Sequence, residues 1–376
     1  MTRELANVLV DLGDERVSAQ SVARALAEAR DAGFRIEDFS AVPERLLSWI
    51  DLRFGGTWSS EVAAGAAWFA FAKDEPVGFA AYGATGLRFS WLRAWQRESD
   101  VGLFGPSTVL PAQTGSSLGS LLRTVAFGSL REGGFAHALV PALADPLTIS
   151  YYQHLCGGRV VDRFTLDRSG PPLRTTVLAS GGGTNFQAVI DAARDGLPLE
   201  LNALVSNRSD AFALERARRA GISAKTMLWN RSSLARGEYD ALLSETVAES
   251  EPDLVLLLGW MHVLPASFVE RFGEMINIHP AFLPYDGSAD VVTMPDGAVI
   301  PAFRGAHAIR DALAAGCGWY GATAHRVGIA FDRGEILQRA PLPLVATAGE
   351  EEALAALRPT EHGVLLGAIR RVLDER

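Results

Sequence analysis

The sequence predicts an α/β protein of two domains, and three observations carry that reading. The chain has 376 residues, against roughly 150 for an average domain. Asp167-Arg168-Ser169-Gly170-Pro171-Pro172 punctuates it near the middle, because adjacent prolines lock the backbone and the glycine beside them resists helix and strand alike. The expected domains are therefore 1–168 and 173–376. Beyond Arg174, β-branched apolar runs alternate with helical stretches, which is the pattern of a parallel sheet covered by helices.

Composition narrows the function classes. Hydrophobic residues make up 48% and charged residues 21% of the chain, ordinary globular values that fit neither disorder nor a coiled coil. Thirty-five Lys and Arg against 44 Asp and Glu give a net charge of −9, which repels phosphate backbones and anionic lipid heads. No nucleic acid and no membrane are expected as partners. Cys156 and Cys317 are too few for a disulfide framework or a cysteine-rich zinc site, so no metal is expected and a reducing cytoplasm is the default. Charges punctuate Met1 to Asp14, and the longest apolar runs, such as Leu254 to Val263, fall well short of about 20 residues.

In the first half, helices are expected over Ser18–Gly33 and Pro43–Leu52, where proline suits the first helical position. A hairpin follows, Trp68–Lys73 and Val77–Tyr82, with Asp74-Glu75-Pro76 as its turn. A strand at Val101–Leu110 leads through Pro111-Ala112-Gln113-Thr114-Gly115-Ser116-Ser117-Leu118-Gly119 into a helix at Ser120–Arg131. Strand, glycine-containing turn and helix make an anion site, since exposed backbone N–H groups and the helix dipole both favour negative charge there. A plain tight turn at Gly115 and Gly119 remains open on the residues alone.

Gln113–Leu122 resembles the pyrophosphate-binding turn of the GCN5-related N-acetyltransferases, and Ser150-Tyr151-Tyr152-Gln153-His154-Leu155-Cys156-Gly157 resembles that family's later tyrosine segment. Gly115 and Gly119 match the family glycines, whereas Ser117 replaces the middle one. The resemblance spans about 60–165. It implies an acetyltransferase-like mixed sheet, acetyl-CoA or another acyl-CoA held by Gln113, Gly115 and Gly119, and Tyr152 as the proton donor to the leaving thiolate.

In the second half, strands are expected at Thr175–Ala179, Leu201–Ser206, Leu254–Leu258 and Met275–Ile278, and helices at Phe186–Asp195, Phe212–Ala220 and Tyr239–Glu249. Ligands of such sheets collect at the carboxyl ends of the strands. Ser180-Gly181-Gly182-Gly183-Thr184-Asn185 sits at one such end. It lacks the lysine of a Walker loop, and Phe186 occupies the place of the small residue in a dinucleotide fingerprint. What remains is a compact anion site of backbone N–H groups, with Thr184 and Asn185 as added donors. Alternation along a strand puts Asn277 and His279 on one side and Ile278 in the core. Acyl transfer to an amine needs donors for a developing oxyanion and a manager for the amine's proton. The Asn277 amide and a His279 imidazolium suit the first, and Asp332 suits the second.

Five segments in order resemble the folate-dependent formyltransferases, over 174–376: Val177–Gln187, Val205–Ala211, Pro252–Leu264, Asn277-Ile278-His279-Pro280-Ala281-Phe282-Leu283-Pro284, and Asp332-Arg333-Gly334. The resemblance implies a Rossmann-like parallel sheet, 10-formyltetrahydrofolate as formyl donor, and Asn277, His279 and Asp332 as the catalytic trio. It further implies that Met261, His262, Val263 and Leu264 line the pterin pocket, that Gly183, Thr184 and Asn185 hold an acceptor phosphate, that Glu361 meets the acceptor's ribose, and that His325 lies near the site. The departure is an insertion over 286–301, read as a surface loop with a hairpin of Ala289–Thr293 against Ala298–Ile300 that shapes the acceptor pocket.

The expected function is N-formyl transfer to an amine or hydroxylamine of a small acceptor in specialised metabolism, with a second, coenzyme A-dependent activity in the first half. Three alternatives stay open: the purine-biosynthetic branch, which formylates glycinamide ribonucleotide; a coenzyme A acyltransferase with a non-catalytic C-terminal half; and a binding module. Formylation of a transfer RNA is disfavoured by the net charge. The partner is a small-molecule amine, and the sequence leaves the oligomeric state open, a homodimer included.

Overall fold

The structure is a computed structural model that describes residues 4–166, 170–345 and 349–376. Asp167, Arg168 and Ser169 of the expected boundary lie outside the described residues. The described residues form two compact units, the first of 4–50, 58–166 and Leu373–Arg376, the second of Asp51–Thr57 and 170–372.

The first unit opens on a strand ahead of the expected helices. In order it contains β1 (Glu4–Asp11), α1 (Ala19–Asp31), β2 (Arg35–Phe39), α2 (Glu44–Arg53), α3 (Trp58–Ala63), β3 (Ala66–Ala72), β4 (Glu75–Tyr82), β5 (Val101–Val109), α4 (Leu118–Glu132), β6 (His137–Leu143), α5 (Pro146–Leu155) and β7 (Arg159–Thr165). The β1 segment is apolar on both faces and buried through its middle, so it lacks the alternation that marks a half-buried strand. The hairpin turns at Lys73 and Asp74, both with positive φ, and Glu75 and Pro76 belong to the second strand. The seven strands run β2-β3-β4-β5-β6-β1-β7. Among the described residues its strands pair antiparallel except β5 with β6, whose parallel register covers only Val101–Leu103 against His137–Leu139. The two strands then part, and the turn and helix that join them sit at the gap.

The second unit contains β8 (Leu173–Leu178), α6 (Thr184–Arg194), β9 (Leu199–Ser206), α7 (Phe212–Ala220), β10 (Ser223–Thr226), α8 (Arg236–Ala248), β11 (Leu254–Leu257), α9 (Ala266–Phe272), β12 (Met275–His279), β13 (Val291–Thr293), β14 (Val299–Pro301), α10 (Ala308–Ala314), β15 (Trp319–Arg326), β16 (Ile336–Pro343) and α11 (Glu350–Asp374). Its sheet order is β10-β9-β8-β11-β12-β15-β16. The first five strands are parallel, and β15 and β16 close the edge antiparallel. The wholly parallel sheet is thus corrected to a mixed one. The order runs outward from β8 in both directions, so the loops after β8 and β11 leave on either side of a switch point, where α/β sheets hold ligands.

Candidate active site

A pocket of about 360 Å³ opens at the carboxyl ends of β11 and β12. It is lined on one side by Trp260, Met261, His262, Val263 and Leu264, and on the other by Ile329, Phe331 and Asp332. Asn185, Glu361, Asn277, His279 and His325 complete it.

The β12 register sets its chemistry. Asn277 pairs with His325 directly across to β15, and the Asn277 amide nitrogen lies 3.2 Å from His325 Nε2 and 3.4 Å from Asp332 Oδ1. Ile278 turns into the core. His279 Nε2 lies 2.7 Å from the Phe303 carbonyl, an acceptor only, so that nitrogen carries a hydrogen. Its Nδ1 faces Asp332 Oδ2 at 3.6 Å. His325 is arranged alike, with Nδ1 donating to the Arg326 carbonyl at 2.9 Å and Nε2 3.5 Å from Asp332 Oδ1. Asp332 therefore stands between the two ring nitrogens that face no backbone carbonyl.

Burial holds the His279 imidazole below its usual pKa, although Asp332 and the Phe303 carbonyl pull upward. Burial also opposes ionisation of Asp332, but the His325 hydrogen bond, both imidazoles and the Gly305 N–H outweigh it, leaving its pKa below the ordinary carboxylate range. Both shifts favour a neutral imidazole beside a carboxylate. The Phe303 carbonyl takes the Nε2 hydrogen, so the proton that His279 gains or loses is the one on Nδ1, facing Asp332.

Asp332 has a φ of 50°, in the left-handed region. Its loop sits tight on β15: a Cβ on Gly334 would fall 1.8 Å from the Arg326 carbonyl oxygen, so only glycine fits the second residue after Asp332.

Gly183 caps α6 with a φ of 68°, and a Cβ there would meet Ala213 at 2.9 Å. Asn185 faces the pocket, and its amide holds the buried Glu361, whose pKa is raised by burial against the pull of Asn185 and Arg358. Thr184 instead lines an adjacent groove of about 700 Å³ that also includes Arg216 and His362. Met261 and Val263 are largely exposed, and so are Ile329 and Phe331 across the opening; His262 turns its ring among Trp229, Tyr239 and Trp260. None of the residues 286–301 lines the pocket. The hairpin of the insertion forms as β13 and β14 but buries Val292, Met294 and Ile300 against Phe282, Cys317 and Trp319. These residues therefore pack on the core and not on this pocket.

Sequence reasoning missed three arginines. Arg236 donates to the Val263 carbonyl and to Asp240, bracing the loop that carries Met261. Arg304 donates to the Asp332 carbonyl at 3.1 Å. In the first unit, Arg123 lies over the Tyr151 ring at 4.1 Å; its place four residues after Gly119 on one helix face was a legible signal.

That first unit has its own cavity of about 680 Å³ between the parted strands, lined among others by Gly119, Arg123, Phe104, Trp91 and Tyr152. Gln113 and Gly115 are not among its lining residues. Burial pushes the Tyr152 phenol up to about 12, against the pull of Arg123.

Residues 173–294 and 296–369 match the sequence model of the formyl transferase family. A phosphoribosylglycinamide formyltransferase of Escherichia coli is 33% identical over 194 residues, 51% of this chain and 83% of that relative. One from Mycobacterium tuberculosis is 34% identical over 200 residues, 53% of this chain and 84% of its own length. The crystal structure of glycinamide ribonucleotide transformylase 1 from Symbiobacterium toebii is 34% identical, covers 54% of this chain and 87% of that one, and aligns with a TM-score of 0.47.

Proposed function

The chain belongs to the formyl transferase family, which uses 10-formyltetrahydrofolate, and we propose that its second unit moves the formyl group onto the amine of a small phosphorylated acceptor. The observation that carries this reading is Asp332 held between His279 and His325, with the Asn277 amide beside it.

Each residue takes a role from its geometry. Attack of the amine nitrogen on the formyl carbon places negative charge on the formyl oxygen and a proton in excess on nitrogen. Asn277 supplies an N–H to that oxygen, since both of its present hydrogen bonds are long and an exchange costs little. His279 Nδ1 receives the proton, and Asp332 stabilises the resulting imidazolium across 3.6 Å. The same proton returns to N10 of the folate as the carbon–nitrogen bond breaks, so protons balance over the cycle. The phenomenon of a buried neutral histidine beside an ionised aspartate suits a base better than a permanent cation.

The donor fits the residues present. The apolar lips formed by Met261, Val263, Ile329 and Phe331 suit a flat aromatic body, and the buried Trp260 Nε1 and Asn185 Oδ1 have no partner among the described residues. For the acceptor, Gly183 opens α6 with free N–H groups suited to a phosphate, and Glu361 beside Asn185 suits a hydroxyl. Glycinamide ribonucleotide combines these groups and is the acceptor named for the relatives. An amine or hydroxylamine of specialised metabolism is the second acceptor reading, favoured by the additional N-terminal unit. Turnover of glycinamide ribonucleotide against a panel of amines and hydroxylamines tests the choice.

A second activity for the first unit rests on a separate observation, the cavity between β5 and β6. Acetyl-CoA or another acyl-CoA would place its pyrophosphate at the start of α4, around Gln113, Gly115 and Gly119, and its thioester near Tyr152, whose raised pKa keeps a proton available for a thiolate. Calorimetry with coenzyme A and acetyl-CoA tests this independently of formyl transfer.

A further inference from the structure

The insertion stays off the pocket wall, yet it reaches the catalytic loop by another route. Arg304, three residues past β14, has a side chain only 11% exposed. Its Nε donates to the Asp332 carbonyl at 3.1 Å, its Nη2 to the Ala289 carbonyl at 2.8 Å, and its Nη1 lies 3.2 Å from Asp290 Oδ1. Arg333, the residue after Asp332, donates to the same Asp290 oxygen at 2.6 Å and to the Gly287 carbonyl at 2.5 Å. The Gly305 N–H holds Asp332 Oδ2 at 3.1 Å. Residues 304 and 305 thus grip both the backbone and the carboxylate of Asp332, and the insertion grips Arg304.

We propose that Arg304 is a positioning residue for Asp332 and that the insertion anchors it through Ala289 and Asp290. The inference rests on the formyl-transfer reading for its effect on rate, but the clamp itself is defined by geometry. A non-glycine residue in the left-handed region persists only when its surroundings over-determine it, and the Arg304 and Gly305 contacts supply that constraint at Asp332. Asp290 lies between two guanidinium groups that would otherwise repel. The clamp is accordingly an electrostatic device as well as a brace. The groups that face the Asp332 carboxylate are His279 from β12, His325 from β15, the Asn277 amide and the Gly305 N–H, with Arg304 on its backbone carbonyl, while Asp290 faces Arg304 and Arg333 from the insertion and Asp286 lies near Arg333.

This predicts opposite responses to two neutralising substitutions. Arg304→Met removes a positive charge near His279, so the imidazole gains its proton at higher pH. Asp290→Asn leaves both arginines uncompensated, so the imidazole gains its proton at lower pH. Arg304→Lys keeps the charge but loses the three-way fork. It leaves the His279 titration close to wild type while kcat falls by about tenfold to a hundredfold through misplacement of Asp332, with KM for folate unchanged.

The experiment is histidine-labelled NMR titration of the full chain, with His279→Asn used for assignment, alongside steady-state kinetics for each variant. Opposite displacement of the His279 titration by Arg304→Met and Asp290→Asn, with a kcat loss in Arg304→Lys, supports the clamp. Displacement in the same direction, or none together with kcat within twofold of wild type, overturns it. Asp290 is largely exposed, so its variant carries the test even where Arg304→Met fails to fold. A wild-type protein that formylates nothing refutes the functional reading alone, because the titration still decides whether the clamp acts on the site.

Discussion

Replacing Asp332 by asparagine tests the proposed proton chemistry at its centre. The substitution keeps size and shape, and an amide oxygen can still accept the Gly305 N–H, so the fold is expected to survive. What it removes is a negative charge 3.6 Å from His279 Nδ1 and 3.5 Å from His325 Nε2, with both partners of the first pair no more than 6% exposed. A unit-charge pair at that separation, with an effective dielectric of about 20, is worth about 4 to 5 kcal/mol. The amide dipole and local relaxation recover part of this. At 1.4 kcal/mol per tenfold, the expected loss in kcat is about 100- to 1000-fold. The pH profile gives the sign. Neutral His279 is the proposed base, so activity is present above its pKa and lost as pH falls through it. Burial already holds that pKa below the usual value and Asp332 pulls it upward; Asp332→Asn removes the upward pull and moves the acid limb to lower pH. Rapid-quench measurement of single-turnover formyl transfer between pH 5 and 9 reads both effects. A folded variant within about tenfold of wild type at every pH would refute the reasoning.

Three other outcomes follow from the same structure. Glu361→Gln removes a carboxyl whose folded pKa is raised by burial; such a group favours the folded state below its unfolded pKa and loses that contribution as pH rises, so the variant should gain melting temperature at pH 8 and little at pH 4, while KM for the acceptor rises. Phe331→Ala removes half of an apolar lip and should raise KM for the folate by roughly tenfold through about 1 to 2 kcal/mol of lost burial, leaving acceptor KM unchanged; equal rises in both would place Phe331 elsewhere. Calorimetry should show binding of coenzyme A to the full chain that Arg123→Glu weakens; no heat at millimolar ligand would remove the second activity.

The α/β class was legible because strands such as Leu254–Leu257 and Met275–His279 are short apolar runs, while helices such as Thr184–Arg194 and Phe212–Ala220 carry a clear helical period. The antiparallel edge was not, because Trp319–Arg326 is buried along nearly its whole length and carries no mark of direction. Asn277 and His279 were legible from strand alternation, which also predicts the Asn277 side as the one facing His325 once β15 is known to pair there. The hydrogen-bond roles were hidden, since the Phe303 carbonyl that fixes His279 lies 24 residues away. The insertion shows the same limit. Its hairpin was readable from turn residues, whereas its burial of Val292 and Ile300 and its hold on Arg304 depend on which face of the sheet it lands on, and sequence spacing does not encode that.

The most direct measurement is mass detection of product after incubating the purified chain with 10-formyltetrahydrofolate and glycinamide ribonucleotide, with a parallel panel of amines and hydroxylamines. One acceptor is expected to gain a single formyl group, in step with tetrahydrofolate release, and His279→Ala is expected to abolish that product. Formylated product formed equally well by His279→Ala, or none from any acceptor with a folded wild-type chain, would contradict this expectation.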